Sequence, residues 1–200
     1  MLCSAQDLTN PGWAWSTDAG ARNRWIVDGH VVTDDEVSGV FLRRSCVYPE
    51  ELRGTHPDDR EYLAAETTAF LTFVLACTRA TVCNPVADGG FGEAAVRPER
   101  SARAAASLGL DVAPVRLKSD ASARLPAVAA RIEVVGRKAF GTASKNLRTT
   151  AIDLAVALGL RYAAFAFDTR GRLLGVQTLK PPSADARRAL GLVLAGDVRP

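Results

Sequence analysis

The sequence has no apolar run long enough to cross a bilayer. The best segment, Phe70 to Cys77, is broken by Thr72, and a membrane-spanning helix needs about 20 residues. The opening Met1-Leu2-Cys3-Ser4-Ala5-Gln6-Asp7 has neither a basic region nor an apolar stretch, so we expect no signal peptide, a cytoplasmic location and no membrane partner. Cysteine is scarce: Cys3, Cys46, Cys77 and Cys83 form no C-x-x-C pair, and the only histidines are His30 and His56. Zinc sites need closely spaced ligand pairs, so no metal is expected. Cys77 and Cys83, in apolar segments, read as small core side chains. Lysine is scarce as well. Of 25 basic residues only 4 are Lys, the formal net charge is +3, and no basic run exceeds the pairs Arg43–Arg44 and Arg187–Arg188. With no aromatics interleaved among the bases, the footprint of a nucleic-acid binder is missing.

What is present is a folded protein. Of 200 residues 48% are hydrophobic and 24% charged, which excludes an intrinsically disordered chain. A chain of this size buries about 70% of its unfolded surface. Trp25 to Val32 predicts a β-hairpin turning at Asp28-Gly29, and Val37 to Arg43 a strand. Pro57 with Asp58 and Asp59 opens a helix running to about Arg79, with Tyr62, Ala69, Phe70, Phe73 and Cys77 on one face of period 3.6. Thr81 to Val86 predicts a short strand, Asp88 to Gly92 an ordinary loop, Glu99 to Leu108 an Ala-rich helix, and Val112 to Leu117 the next strand. The first 120 residues therefore alternate β-α-β-α-β, the pattern of a sheet covered by helices. Further on, Arg131 to Phe140 reads as two strands joined at Gly136, Asn146 to Leu158 as a helix, and Tyr162–Phe167 and Leu173–Leu179 as strands. Ala184 to Leu194 closes the pattern as a helix. The Ala/Ser-rich segment 119–130, with Pro126, is the natural boundary between an N-terminal part (1–120) and a C-terminal part (131–200).

The order Val37-Ser-Gly-Val-Phe-Leu-Arg-Arg44, Pro57 to Glu66, Cys83-Asn-Pro85 and Ala104 to Pro114 resembles the N-terminal domain of ATP-grasp ligases. The nearest resemblance is to those that glutamylate ribosomal protein or crosslink ribosomal peptides into macrocycles. Glu133-Val-Val-Gly136, Leu158 to Ala164 and Arg170 to Leu179 resemble the C-terminal strands of the ATP-grasp domain. The resemblance implies an α/β fold in which an N-terminal βαβαβ pre-ATP-grasp part packs on a truncated ATP-grasp C-terminal antiparallel sheet with helices. An active ligase inserts, between the segments here matching Ala113-to-Leu117 and Ile132-to-Gly136, a small subdomain with a phosphate-gripping lysine and a glycine-rich loop; here only a short stretch separates them. The carboxylates that hold Mg²⁺ in such ligases align with Ala166, Gln177 and Leu179. Magnesium needs hard oxygen ligands, and phosphoryl transfer without metal and lysine loses its electrostatic stabilisation. The expectation is a non-catalytic chain with no cofactor. Its partner is then a precursor peptide of a ribosomal-peptide pathway, as for truncated ATP-grasp-like proteins of crocagin-type pathways, with other pathway enzymes as further partners. The runner-up readings are a residual ATP-dependent ligase and a regulatory partner of an intact ATP-grasp enzyme.

The candidate peptide-binding residues are Arg43, Arg44, Trp13 and Trp15. A forked guanidinium at a strand end suits a carboxylate; the alternative is a structural ion pair of Arg43 or Arg44 with Asp58, Asp59 or Glu66. Trp13 and Trp15 either cap the core or form a contact surface. Glu66, if buried, needs Arg43 or Arg44 as its partner. His56 reads as a helix-entry residue and His30 as a solvated strand residue. The strands Tyr162–Phe167 and Leu173–Leu179 are apolar on both faces. This implies a homodimer covering what sheet surface the helices leave bare, with a strand edge free for an added peptide strand.

Overall fold

The hairpin forms where Asp28-Gly29 predicts it. In the computed structural model, which describes residues 3–18, 20–84, 86, 91, 96–113 and 127–196, β1 (Arg24–Val27) pairs antiparallel with β2 (His30–Thr33). Asp28 and Gly29 both take positive φ, 54° and 74°, the conformation of a type I′ turn. A short helix, α1 (Ala5–Thr9), is capped by Ser4. The Asp7 carboxylate within it accepts from the Gly29 N–H at 2.8 Å, tying the turn to the N-terminus. Asp34 fixes the other end, accepting from Trp25 Nε1 at 3.0 Å and from Thr78 Oγ1 at 2.6 Å.

A βαβ unit follows. β3 (Gly39–Phe41) and β4 (Thr81–Cys83) are parallel, connected by the 18-residue helix α2 (Arg60–Cys77), which a 3₁₀ turn over Pro57–Asp59 introduces. α2 buries Ala64, Thr67, Leu71, Val74 and Leu75. The face that sequence periodicity picks out is the other one: Tyr62, Ala69, Phe73 and Cys77 are exposed and Phe70 half-buried. Apolar side chains occur on every side of the helix, so periodicity alone cannot orient it. Cys77 is thus a surface thiol, contrary to expectation, whereas Cys83 is fully buried and burial pushes its thiol up to about 12.

The C-terminal sheet has the order β6-β5-β7-β8, with β5 (Ala130–Val135), β6 (Lys138–Phe140), β7 (Tyr162–Phe167) and β8 (Leu173–Gln177) all antiparallel. β5 and β6 turn at Gly136 as expected. α4 (Lys145–Leu158), capped by Ser144 and ended by left-handed Gly159, packs Ala151, Leu154 and Ala155 on Ile132, Val134 and Phe165. α3 (Pro98–Ser107) joins this same core through Ala105. Of the expected strand Val112 to Leu117, Val112 forms a parallel bridge to Leu173 at the β8 edge; residues 114–117 lie outside the described residues, as do most of the loop 88–92 and of the boundary 119–130.

α5 (Ala184–Leu194) lies across the other face of this sheet and also meets β3 and β4. Ala186 and Leu190 pack with Cys83, Val135 and Tyr162, and the Gly39 backbone runs so close to Leu194 that a Cβ there would stand 2.6 Å from it. The sheet is thus covered by its own helices and by the βαβ unit. Every β7 residue except Ala166 is buried, so the middle of the sheet leaves no apolar surface for a second subunit, while Leu174, Gly175 and Val176 of β8 are half-buried.

Asn84 joins the two parts. Buried and left-handed at φ 56°, a conformation asparagine tolerates better than most residues, it donates to the Tyr162 carbonyl at 2.6 Å. Its Oδ1 accepts from the Arg161 and Tyr162 N–H groups at 3.0 Å each. Asn84→Ala leaves these buried backbone groups unpaired. The expected loss is about 3 kcal/mol, a fall in Tm of about 6–12 °C in a domain this size, measurable by scanning calorimetry; an unchanged Tm would refute the role given to this junction.

Candidate functional site

In open α/β units, ligands bind beyond the carboxyl ends of the parallel strands. β3 delivers Arg43 and Arg44 to that position, but the two side chains diverge. Arg44 forks onto Glu51, with Nη2–Oε1 at 2.7 Å and Nη1–Oε2 at 3.2 Å, and Glu51 also accepts the Tyr48 N–H. The expected partners Asp58, Asp59 and Glu66 are not used. The 3₁₀ turn Pro49–Glu51 brings an acid back beside Arg44 within the same loop, while Glu66 is exposed on α2 and needs no partner. Arg43 is exposed and makes no ion pair among the described residues. It lies close enough to Tyr162 to oppose the other influences on that phenol. Burial, and after it the charges of Glu133 and Cys83, push Tyr162 well above its ordinary value.

Beside Tyr162, a row of polar groups crosses the β5-β7-β8 face. Glu133 is buried yet charged: its carboxylate accepts the Ser183 N–H at 3.0 Å and pairs with Lys180 Nζ at 3.4 Å. Burial raises its affinity for a proton, but the Ser183 hydrogen bonds and Lys180 outweigh burial and hold it below 4.5. The Tyr162 hydroxyl donates to the Lys180 carbonyl at 2.8 Å. One step along the strands, Arg131 pairs in register with Ala166, and Ala166 with Gly175. Arg131 Nη1 donates to Gln177 Oε1 at 3.2 Å.

This face carries Ala166 and Gln177, which the sequence resemblance aligns with magnesium ligands, and Leu179 follows β8. Ala166 offers no donor atom, Leu179 is a half-buried apolar side chain, and the one neutral oxygen, of Gln177, is taken by a guanidinium. These residues do not fit a divalent cation bridging phosphates, which requires carboxylates and is repelled by the fixed charge of Arg131. Among the described residues no group of three His, Cys, Asp or Glu side chains comes together as a metal cluster.

Trp13 and Trp15 are half-buried against Trp25. The ring centroids are 5.7 and 5.4 Å from it, and Trp13 also meets Phe70 edge-on at 5.7 Å. Trp13 donates its indole N–H to the Asp7 carbonyl at 2.8 Å. Both pack on the core formed by Trp25, Val74 and Leu75, so the core-capping alternative describes their packing. Arg43 and the tryptophans are not brought together. Sequence reasoning missed Asn84, Tyr162 and the Glu133–Lys180 pair. The alternation Arg131-Ile-Glu-Val carries one usable signal, since period two sets Arg131 and Glu133 on the face opposite Ile132 and Val134.

No protein-family model matches the chain, and no curated protein matches its sequence. Solved structures do. The macrocyclase MdnC bound with precursor peptide MdnA, from Microcystis aeruginosa MRC, matches with a TM-score of 0.69 at 14% identity, over 90% of this chain and 85% of that one. The ATP-grasp ligase PsnB complexed with minimal precursor gives 0.62 at 13%, over 96% and 88%. The RiPP-associated ATP-grasp ligase of Chryseobacterium gregarium, in complex with ADP and a leader and core peptide, gives 0.64 at 8%, over 92% and 84%. At these identities the likeness establishes the fold: the chain is ATP-grasp-like, mixed α/β with antiparallel sheet and helices, as its sequence resemblance implied.

Because the Glu133 carboxyl titrates below its ordinary value in the folded state, its ionised form stabilises the protein above about pH 4.5. That stability is lost as pH falls through the lower, folded value. Glu133→Gln is therefore expected to destabilise the protein at pH 7 and to lose most of the difference from wild type by pH 3, in urea titrations across that range. An equal deficit at both pH values would contradict the ion-pair assignment.

Proposed function

We propose that this chain is a non-catalytic accessory protein that binds the precursor peptide of a ribosomally synthesised, post-translationally modified peptide pathway. The observation carrying this reading is the substituted face: Ala166, Gln177 and Leu179 stand where an ATP-grasp ligase needs carboxylates, and Arg131 occupies the remaining oxygen. Two further points support it. The fold is shared with enzymes solved with precursor peptides bound, so the framework has the shape for such a ligand. Ala113 and Ala129, which flank the segment where a ligase carries its small subdomain, donate to Leu173 and Phe167, at the same end of the β7–β8 pair; a short connection suffices between them. On this reading the parts 1–120 and 131–200 are a pre-ATP-grasp-like unit and a truncated ATP-grasp remnant, acting in the cytoplasm alongside other pathway enzymes.

Arg43, exposed at the end of β3, is assigned to the acidic groups of the peptide. Arg44 shapes the adjoining loop through Glu51, and Trp13 and Trp15 hold the hairpin side of the same unit. The β6 edge, and β8 beyond the Val112–Leu173 bridge, are where an extended peptide can add as a strand.

Isothermal titration with the precursor peptide encoded beside the gene, without nucleotide, is expected to give a Kd in the micromolar range. Arg43→Ala is expected to weaken it about tenfold, the loss of one charge-assisted hydrogen bond. Absence of saturable binding would overturn the reading. Millimolar Mg-ATP is expected to leave Tm unchanged within about 1 °C. Occupancy at 100 times Kd would add about 2.7 kcal/mol, several degrees here, and a shift of that size would reinstate the residual-ligase alternative.

A further inference from the structure

The outer face of α2 is the largest feature that the proposed function leaves unused. Tyr62 is 71% exposed and Phe73 42%, and between and beyond them Ala65, Ala69 and Ala76 are exposed on the same side of the helix. A solvent-facing helix surface normally carries charge; this stripe itself is uncharged, with the exposed Glu66 at its margin, and exposed aromatics aligned over several turns of one helix mark a contact surface. The positions 62, 65, 69, 72/73 and 76 follow the 3-4 spacing of a helix–helix seam.

The order of sizes along this face says what covers it. It reads Tyr62, Ala65, Ala69, Phe73, Ala76: large, small, small, large, small. If a second α2 is laid antiparallel with the two-fold axis beside Ala69, residue 69 + n of one copy is level with 69 − n of the other. Phe73 (69 + 4) then meets the level of Ala65 (69 − 4), and Tyr62 (69 − 7) that of Ala76 (69 + 7). Each aromatic side chain enters a gap beside an alanine, and Ala69 meets its own copy, so two helices can approach to the short limit of about 8 Å. Charge agrees with the same alignment. The N-terminal end carries exposed Asp58, Asp59 and Glu61, and Arg79 is exposed just past the C-terminal end. Glu61 and Arg79 have no ion-pair partner among the described residues. Antiparallel pairing sets the acidic end of each helix beside the Arg79 of the other copy and opposes the two helix dipoles. A parallel pair would set acid against acid.

We propose that the outer face of α2 is a self-complementary dimerisation surface, occupied by the α2 of a second copy of this chain in antiparallel two-fold contact centred on Ala69. An isologous contact of this kind closes on itself. A seam of one 18-residue helix pair, about 27 Å long, is at the small end for specific interfaces, so the dimer forms in the micromolar range. This inference does not rest on the proposed function. It moves self-association from the sheet, which the protein's own helices cover, to the helix face they leave bare.

Light scattering coupled to gel filtration tests it. Wild-type protein loaded at about 100 µM is expected to show twice the monomer mass of 21.2 kDa. Ala69→Arg puts two like charges on the axis and is expected to give 21.2 kDa, with circular dichroism unchanged, and with Tm equal to wild type only when both are diluted below the dimer Kd, because residue 69 is exposed and association itself raises Tm. Val156→Arg, at an exposed apolar position on α4, is expected to leave the dimer intact. Ala69→Cys is expected to crosslink on mild oxidation well beyond the wild-type background from its native surface thiols. Glu61→Arg is expected to weaken the dimer about threefold, the size of an exposed ion pair, and Glu61→Arg with Arg79→Glu to recover it. A monomeric wild type, or a dimer surviving Ala69→Arg, overturns the proposal. A failed peptide titration leaves it standing.

Discussion

The arrangement of this protein depends on the carboxamide of Asn84. It sits at the end of β4, where a left-handed residue turns the chain, and its three hydrogen bonds end on backbone groups at the start of β7. Those groups are buried, where an unpaired N–H or carbonyl is costly, so the junction between the two parts holds in one geometry. Around it, Phe41 meets Tyr162 edge-on at 5.1 Å and α5 closes over both. The polar staple fixes register; the apolar shell supplies most of the free energy.

That junction determines what the sheet face presents. With Tyr162 anchored, β5, β7 and β8 align so that Glu133, Ala164 and Gln177 share one level and Arg131, Ala166 and Gly175 the next. Lys180 and Ser183, between β8 and α5, then hold Glu133 ionised inside the protein. Each Glu133 oxygen has a partner, Lys180 on one and Ser183 on the other, and Arg131 adds positive charge beyond it. A fold can keep its hydrogen-bonding frame while the side chains that gave it chemistry are exchanged, because frame and chemistry occupy different residues.

Motifs with local causes were legible in the sequence. Asp28-Gly29 dictated its turn through backbone conformation alone, the helix read over Asn146 to Leu158 is α4 to within one residue, and Arg131 to Phe140 holds the two strands joined at Gly136. The order of these elements was enough to recognise an ATP-grasp-like fold. Arg44 and Glu66 were misjudged together. Their partners depend on which acids a loop returns to the same place, and Glu51, seven residues on, was the one delivered.

The sequence by itself determined the elements, their order and the residue types available at each position, since turns, caps and periodicity act over a few residues. Only the tertiary structure decided which side of α2 faces the core, because that helix carries apolar side chains on every side and burial is set by the segments it packs on. It also decided that Trp13 and Trp15 pack on Trp25, that α5 covers the sheet, and that Asn84 meets Tyr162 across 78 positions of sequence. Such contacts are made between segments distant along the chain, where no local rule constrains the pairing and only the packing of the whole selects it.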